Sequence, residues 1–145
     1  MTLGSAIEQA RIRFTNNGQF SLLPDESINE VVRREKVPNA SEIYMIFRCD
    51  DLDRPLYIGK SGTMMTDGSL KKQSLGKRLT RKQGGMSRSK FFRKLMAYSG
   101  LGGLTFLWFV THDRDSRVIP ALAEMELAQA HYETYGCLPE LNKCF

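Results

Sequence analysis

The run Leu104-Thr105-Phe106-Leu107-Trp108-Phe109-Val110-Thr111 constrains this chain more than any other segment. It is almost wholly apolar and rich in aromatics, and its length suits a strand buried on both faces, so it predicts the centre of a sheet. A central strand needs partners. Glu42 to Cys49 alternates and is rich in β-formers, which predicts a second strand. Asp50 to Pro55 is a polar turn, and Leu56 to Gly59 is a return strand, making a hairpin. Alternation points Ile43, Met45 and Phe47 one way and Tyr44, Ile46 and Arg48 the other. In the return strand Tyr57 and Gly59 share a face, with Leu56 and Ile58 opposite. Gly59 leaves room there for a close approach to the backbone.

Helices account for much of the rest. Ser5 to Arg13 predicts a short first helix, and Asn16-Asn17-Gly18 a turn. Pro24-Asp25-Glu26 predicts the opening of a second helix, with Ile28, Val31 and Val32 at helical spacing. Ser61 to Gln73 reads as a polar, mobile loop. Ser74 caps a helix to about Lys82, in which Leu75 and Leu79 face inward while Arg78 and Lys82 form a separate stripe. Gly84-Gly85 breaks the chain. Ser87 or Ser89 caps another helix, with Phe92, Leu95 and Met96 inward and Arg93 and Lys94 outward. Ser116 to about Tyr135 predicts a long final helix. The order is therefore strand, strand, helix, helix, strand, helix after a helical leader, an α/β or α+β sheet of about three strands flanked by helices. A length of 145 residues fits one compact unit able to bury a core without disulfides.

Charge narrows the function. The net charge of +5 is modest, but from Gly68 to His112 there is no Asp or Glu against ten Lys and Arg. These are Lys71, Lys72, Lys77, Arg78, Arg81, Lys82, Arg88, Lys90, Arg93 and Lys94. Unrelieved repulsion costs stability, and a phosphate backbone is the usual anion that relieves it. No apolar run approaches the ~20 residues of a membrane helix. The start, Met1-Thr2-Leu3-Gly4-Ser5, lacks the pattern of a secretory signal. The three cysteines, Cys49, Cys137 and Cys144, show no zinc spacing and read as reduced cytosolic thiols, so a cytoplasmic location is expected.

Several residues together carry a resemblance. Glu42-Ile43-Tyr44 is followed by Tyr57-Ile58-Gly59-Lys60-Ser61, with the tyrosines thirteen residues apart. Then come Leu75-Gly76-Lys77-Arg78-Leu79, Glu124-Met125-Glu126-Leu127-Ala128 and Pro139-Glu140-Leu141-Asn142. Over Glu42 to Asn142 the chain resembles the GIY-YIG nucleases, small metal-dependent endonucleases. Glu42 stands where the family's first triplet has glycine, and the loop after Ser61 is longer than in compact members. The resemblance implies a three-stranded antiparallel sheet in residues 41–145, with residues 1–40 as an N-terminal helical extension. It implies a DNA endonuclease using Mg²⁺ or Mn²⁺, with Tyr44, Tyr57, Arg78, Glu124 and Asn142 as its catalytic set. A stand-alone restriction enzyme acting as a homodimer is the expected branch. A repair or junction nuclease, a non-catalytic nucleic-acid-binding module, and a structural protein whose basic face binds a protein partner are the alternatives.

The chemistry accords with the set. Hydrolysis of a phosphodiester needs an activated water, neutralised charge on phosphorus and a stabilised leaving oxygen. Glu124 can hold a hard cation that keeps most of its waters, and Arg78 can brace the phosphate. Tyr44 is the candidate to take a proton from water, provided nearby positive charge favours phenolate over its ordinary pKa of about 10. Tyr57 positions the water or phosphate, Asn142 holds the phosphate or neighbouring side chains, and Lys82 contacts phosphate or assists proton transfer. Lys60, Lys71, Lys72, Lys77, Arg81, Arg88 and Lys90 are the expected DNA contacts. Glu126 is the fallback for Glu124, which is preferred because it borders an apolar helix face of Ala121, Met125, Ala128, Tyr132 and Tyr135. Gly59-Lys60-Ser61 lacks the upstream glycine of a phosphate loop, and His112 and His131 lack metal-helix spacing.

Overall fold

The apolar run becomes the inner strand of a sheet, paired on both sides. The computed structural model describes residues 1–71, 75–80 and 86–143. In chain order the described elements are α1 (Leu3–Arg13), β1 (Asn17–Leu22), α2 (Ile28–Arg34), β2 (Ser41–Arg48), β3 (Asp51–Ser61), β4 (Thr63–Met64), β5 (Leu70–Lys71), α3 (Leu75–Thr80), α4 (Arg88–Tyr98), β6 (Leu104–His112) and α5 (Pro120–Tyr135). The main sheet is antiparallel with four strands in the order β1-β6-β2-β3, and β4 and β5 form a separate small hairpin.

Two cores result from the period-two alternation of these strands. On one face Ile43, Met45, Phe47, Ile58, Leu107 and Phe109 pack against Leu3, Ile7, Ala10 and Phe14 at the α1 side, and against Ala123, Leu127 and Ala130 of α5. On the other face Tyr44, Ile46, Leu104, Phe106, Trp108 and Val110 meet Ile28 and Val31 of α2, Leu79 of α3, and Phe92 and Met96 of α4. The molecule is thus three layers, α1 and α5, then the sheet, then α2, α3 and α4. The caps follow sequence chemistry. Thr2 and Ser87 accept bonds from the Ser5 and Lys90 amides at 3.2 and 3.3 Å. Pro120 opens α5, and Gly136 ends it in the left-handed region at φ 72°.

Several expectations need correction. The sheet has four strands, not three, and the leader is not wholly helical, because Asn17–Leu22 is a strand. Asn17 and Gly18 are not a turn; they pair with Phe109 and Trp108. Gly18 is required there, since a Cβ would lie 2.4 Å from the Trp108 ring. The return strand begins at Asp51 rather than Leu56. A bulge lies opposite Ile46 and Phe47, which pair with Tyr57 and Pro55, so Leu56 joins the Tyr44 core instead of lying with Ile58. The polar loop contains the β4–β5 hairpin, closed by Asp67, which accepts from the Ser69 amide and hydroxyl at 2.9 and 2.6 Å. The last helix starts at Pro120, not Ser116, and its buried residues are Pro120, Ala123, Leu127, Ala128, Ala130 and His131; of the expected face Ala128 is buried, but Met125 and Tyr132 are 61% and 55% exposed. Ser74, Gly84 and Gly85 lie outside the described residues.

Candidate functional site

Tyr44 and Tyr57 reach one place from neighbouring strands by way of a glycine. Tyr44 pairs with Gly59 across the β2–β3 ladder. A Cβ on Gly59 would lie 2.5 Å from the Tyr57 ring and 3.0 Å from that of Tyr44, so both phenols lie across this position. Their centroids are 5.6 Å apart with planes inclined by 41°. The close approach that Gly59 permits is therefore made by the two rings.

Arg78 comes to the phenols from α3. Its neighbour Leu79 is fully buried and anchors the helix, and Gly76 lets it pack close to Val32 of α2. The half-buried guanidinium hydrogen-bonds both phenols. Desolvation works against its charge, and the bonds to Tyr44 and Tyr57 more than offset this, so its pKa is raised and it stays a cation. Its Nε is buried without an acceptor among the described residues. Tyr44 is only 1% exposed. Burial first, and then Tyr57 beside it, push its phenol well above the ordinary value despite the pull of Arg78. The condition set for Tyr44 as a proton acceptor, positive charge sufficient to favour phenolate, is thus not met in this resting arrangement. Tyr57 is the more accessible phenol of the pair.

Glu124 joins from α5, which runs along the β3 edge. Burial raises the pKa of its half-buried carboxyl, while the charges of Lys60 and Arg78 pull it back down. Lys60 is half-buried and its ammonium donates to the Gly62 carbonyl at 3.2 Å. The two phenols and the guanidinium thus meet beside Gly59, with the Glu124 carboxyl within electrostatic reach of Arg78 and Lys60. Glu126, the fallback, points elsewhere and pairs with Arg13 of α1 at 2.9 Å. Glu124 is the half-buried one of the two and Glu126 is exposed, although the helical wheel placed most of the apolar face of α5 away from its buried side.

Asn142 takes a different place from the one expected. Its Oδ1 accepts from the Ile58 amide at 2.9 Å, and its Nδ2 donates to the Ile58 carbonyl at 2.8 Å. The Leu141 amide donates to the Leu56 carbonyl at 2.8 Å. The side-chain amide therefore acts as a short extra strand on the free edge of β3, fixing the backbone beside Tyr57.

Of the other expected residues, Lys82, Lys72 and Arg81 lie outside the described residues. Lys71, Lys77 and Lys90 are exposed, and Arg88 is half-buried with its guanidinium over the Phe91 ring at 6.0 Å. Sequence reasoning gave Glu42 no role, but it is fully buried on the Tyr44 face, with Ser61 Oγ 3.1 Å from its amide and 3.4 Å from its Oε2. Alternation with Tyr44 was the signal for it. Lys60, expected to contact DNA and to line the site or shape the turn, also places its charge within reach of Glu124, which sequence alone did not indicate. A concavity of about 560 Å³ between α1 and α5, on the opposite sheet face, is lined by neither tyrosine, nor Arg78, Lys60 or Glu124.

Among the described residues no three of His, Cys, Asp and Glu cluster as metal ligands. One carboxylate suits a hard ion that keeps several waters and is held jointly by substrate phosphate, and it does not suit zinc. Cys49 and Cys137 are free and exposed. No described helix is long and apolar enough to cross a membrane. Compared with known proteins, the chain matches no protein-family model, no curated protein and no solved structure.

Proposed function

We propose that this chain is a DNA endonuclease of the GIY-YIG kind that hydrolyses phosphodiester bonds with Mg²⁺ or Mn²⁺. The observation that carries the reading is the meeting of Tyr44, Tyr57 and Arg78 from three separate elements, with the Glu124 carboxyl of a fourth within electrostatic reach of Arg78. Packing alone gives no reason for a carboxyl and two cations to gather beside two phenols, and phosphoryl chemistry does.

In this reading Arg78 is kept charged by the two phenols and braces the non-bridging phosphate oxygens as negative charge grows on them. Tyr57, the more accessible phenol, orients the attacking water. Tyr44 keeps its proton and acts through Arg78 as a positioning residue. Lys60 offers a second cation to the phosphate and keeps Glu124 ionised. Glu124 is the residue that would hold the divalent cation, which supplies Lewis acidity toward the phosphate and the leaving 3′ oxygen. Asn142 keeps the Tyr57 strand in register. Cutting both strands of a duplex takes two such sites, so the proposal includes a homodimer.

The test is nicking of supercoiled plasmid with Mg²⁺ or Mn²⁺. Nicking is expected with wild type, abolished by chelator, and reduced at least about a hundredfold by Glu124→Ala or Arg78→Ala. Cleavage that survives both substitutions rejects the site. Binding without cleavage favours the non-catalytic module.

A further inference from the structure

Helix α4 carries an outer face of which the nuclease reading uses Lys90 as a DNA contact and gives Tyr98 no role. Phe92 and Met96 are buried against the sheet face that bears Tyr44, which turns Lys90, Arg93, Lys94 and Tyr98 to solvent. Tyr98 is 97% exposed, the most exposed of the large apolar and aromatic side chains among the described residues. The three cations stand at helical neighbour spacing, and none has a carboxylate within 4.0 Å among the described residues. Like charges so placed repel, and a polyanion laid along the helix relieves them. Among the described residues no ring contact holds Tyr98, which stands in water beside that row.

We propose that this face binds single-stranded DNA, with Lys90, Arg93 and Lys94 on phosphates and the Tyr98 ring stacked on an unpaired base. The cations alone would suit any phosphate backbone. The ring selects the unpaired form, because a duplex already stacks its base faces internally, whereas a free base offers its π-face to an aromatic side chain. From Lys90 to Tyr98 the stripe runs about 12 Å along a rigid, core-anchored helix. Helix α4 packs on the sheet face that bears Tyr44, and the proposal has a strand held on its outer side lead toward that site. For that direction the inference rests on the nuclease reading, and it deepens that reading by naming the form of substrate held next to the cut.

The test is fluorescence anisotropy in chelator, so that cleavage plays no part, with a labelled single-stranded oligonucleotide and the duplex of the same sequence. Tyr98→Ala is expected to weaken single-strand binding roughly tenfold and leave duplex binding unchanged, while Tyr98→Phe binds like wild type. The triple substitution of Lys90, Arg93 and Lys94 by Ala is expected to weaken both forms and to flatten the single-strand salt dependence by about 2 in log–log slope. Unchanged single-strand binding by Tyr98→Ala overturns the proposal, as does equal loss on both forms or an unaltered salt slope in the triple variant. All four positions are solvent-facing, so folding is preserved in these variants. If plasmid is never nicked but the Tyr98 effect holds, the nuclease reading falls and this surface stands; nicking that depends on Glu124 without a Tyr98 effect gives the reverse.

Discussion

At the scale of single residues, the site is a set of charges held partly out of water. Glu124 shows this most plainly, because burial raises its pKa above the ordinary 4.5 even with Lys60 and Arg78 nearby. The sign follows from linkage. A carboxyl with a raised folded-state pKa binds its proton more tightly when folded, so the stability it contributes is complete below the unfolded pKa and is lost as pH rises through the folded one. At neutral pH the ionised Glu124 therefore works against folding. Glu124→Gln, which mimics the protonated form, is expected to melt higher than wild type at pH 7.5 without divalent ions. The difference should close as pH falls below about 4.5, where wild type is protonated in both states. Thermal melts across this range decide it, and a gap that persists in acid would mean the gain comes from something other than the charge. A group selected for stability alone would not sit here, which fits a residue kept for a task.

At the scale of elements, legibility tracked how strongly local pattern and burial agree. The elements that carry Tyr44, Tyr57, Arg78 and Glu124 were legible, because they are bounded by clear periodicity and turn residues. Strand β1 was missed although Phe20 and Leu22 alternate with Gln19 and Ser21. Its opening Asn-Asn-Gly carries the chemistry of a turn, and only the Trp108 ring of the paired strand explains a glycine there. The wheel on α5 failed for a related reason: its side chains include alanines small enough for either face, and the larger Met125 and Tyr132 were taken as core. Asn142 was legible as important but not in its role, since pairing with the Ile58 backbone depends on which sheet edge is free. Helix α4 offers a test of the core reading. Phe92 is fully buried and meets Phe106 edge-on at 5.4 Å. Phe92→Ala is expected to cost about 3–5 kcal/mol in chemical denaturation. On the same helix the exposed Tyr98→Ala is expected to cost no more than about 0.5 kcal/mol. A comparable loss for both would mean that the helix is oriented differently.

At the scale of the whole molecule, the question is whether residues 1–40 are an extension or part of the fold. Strand β1 pairs with β6 along its length from Leu104 to Phe109. Leu3, Ile7 and Phe14 cover one face of the sheet, and Phe20, Leu22, Ile28 and Val31 contribute to the core on the other. Full burial of a large apolar side chain stabilises by about 1.5–3 kcal/mol, so these seven together represent roughly 10–20 kcal/mol. That matches or exceeds the ~5–15 kcal/mol net stability of an ordinary domain. Removing the segment would also turn β6 into an edge whose backbone groups and aromatic faces meet water. Residues 41–145 expressed alone are therefore expected to lose the cooperative thermal transition and to bind a hydrophobic dye, even though every converging site residue remains in the fragment. Nicking by that fragment is expected to vanish with the fold. A fragment that melts sharply, excludes dye and still binds DNA would instead make the first forty residues a dispensable addition to a complete core, and would place the folding boundary where the sequence pattern alone first suggested it.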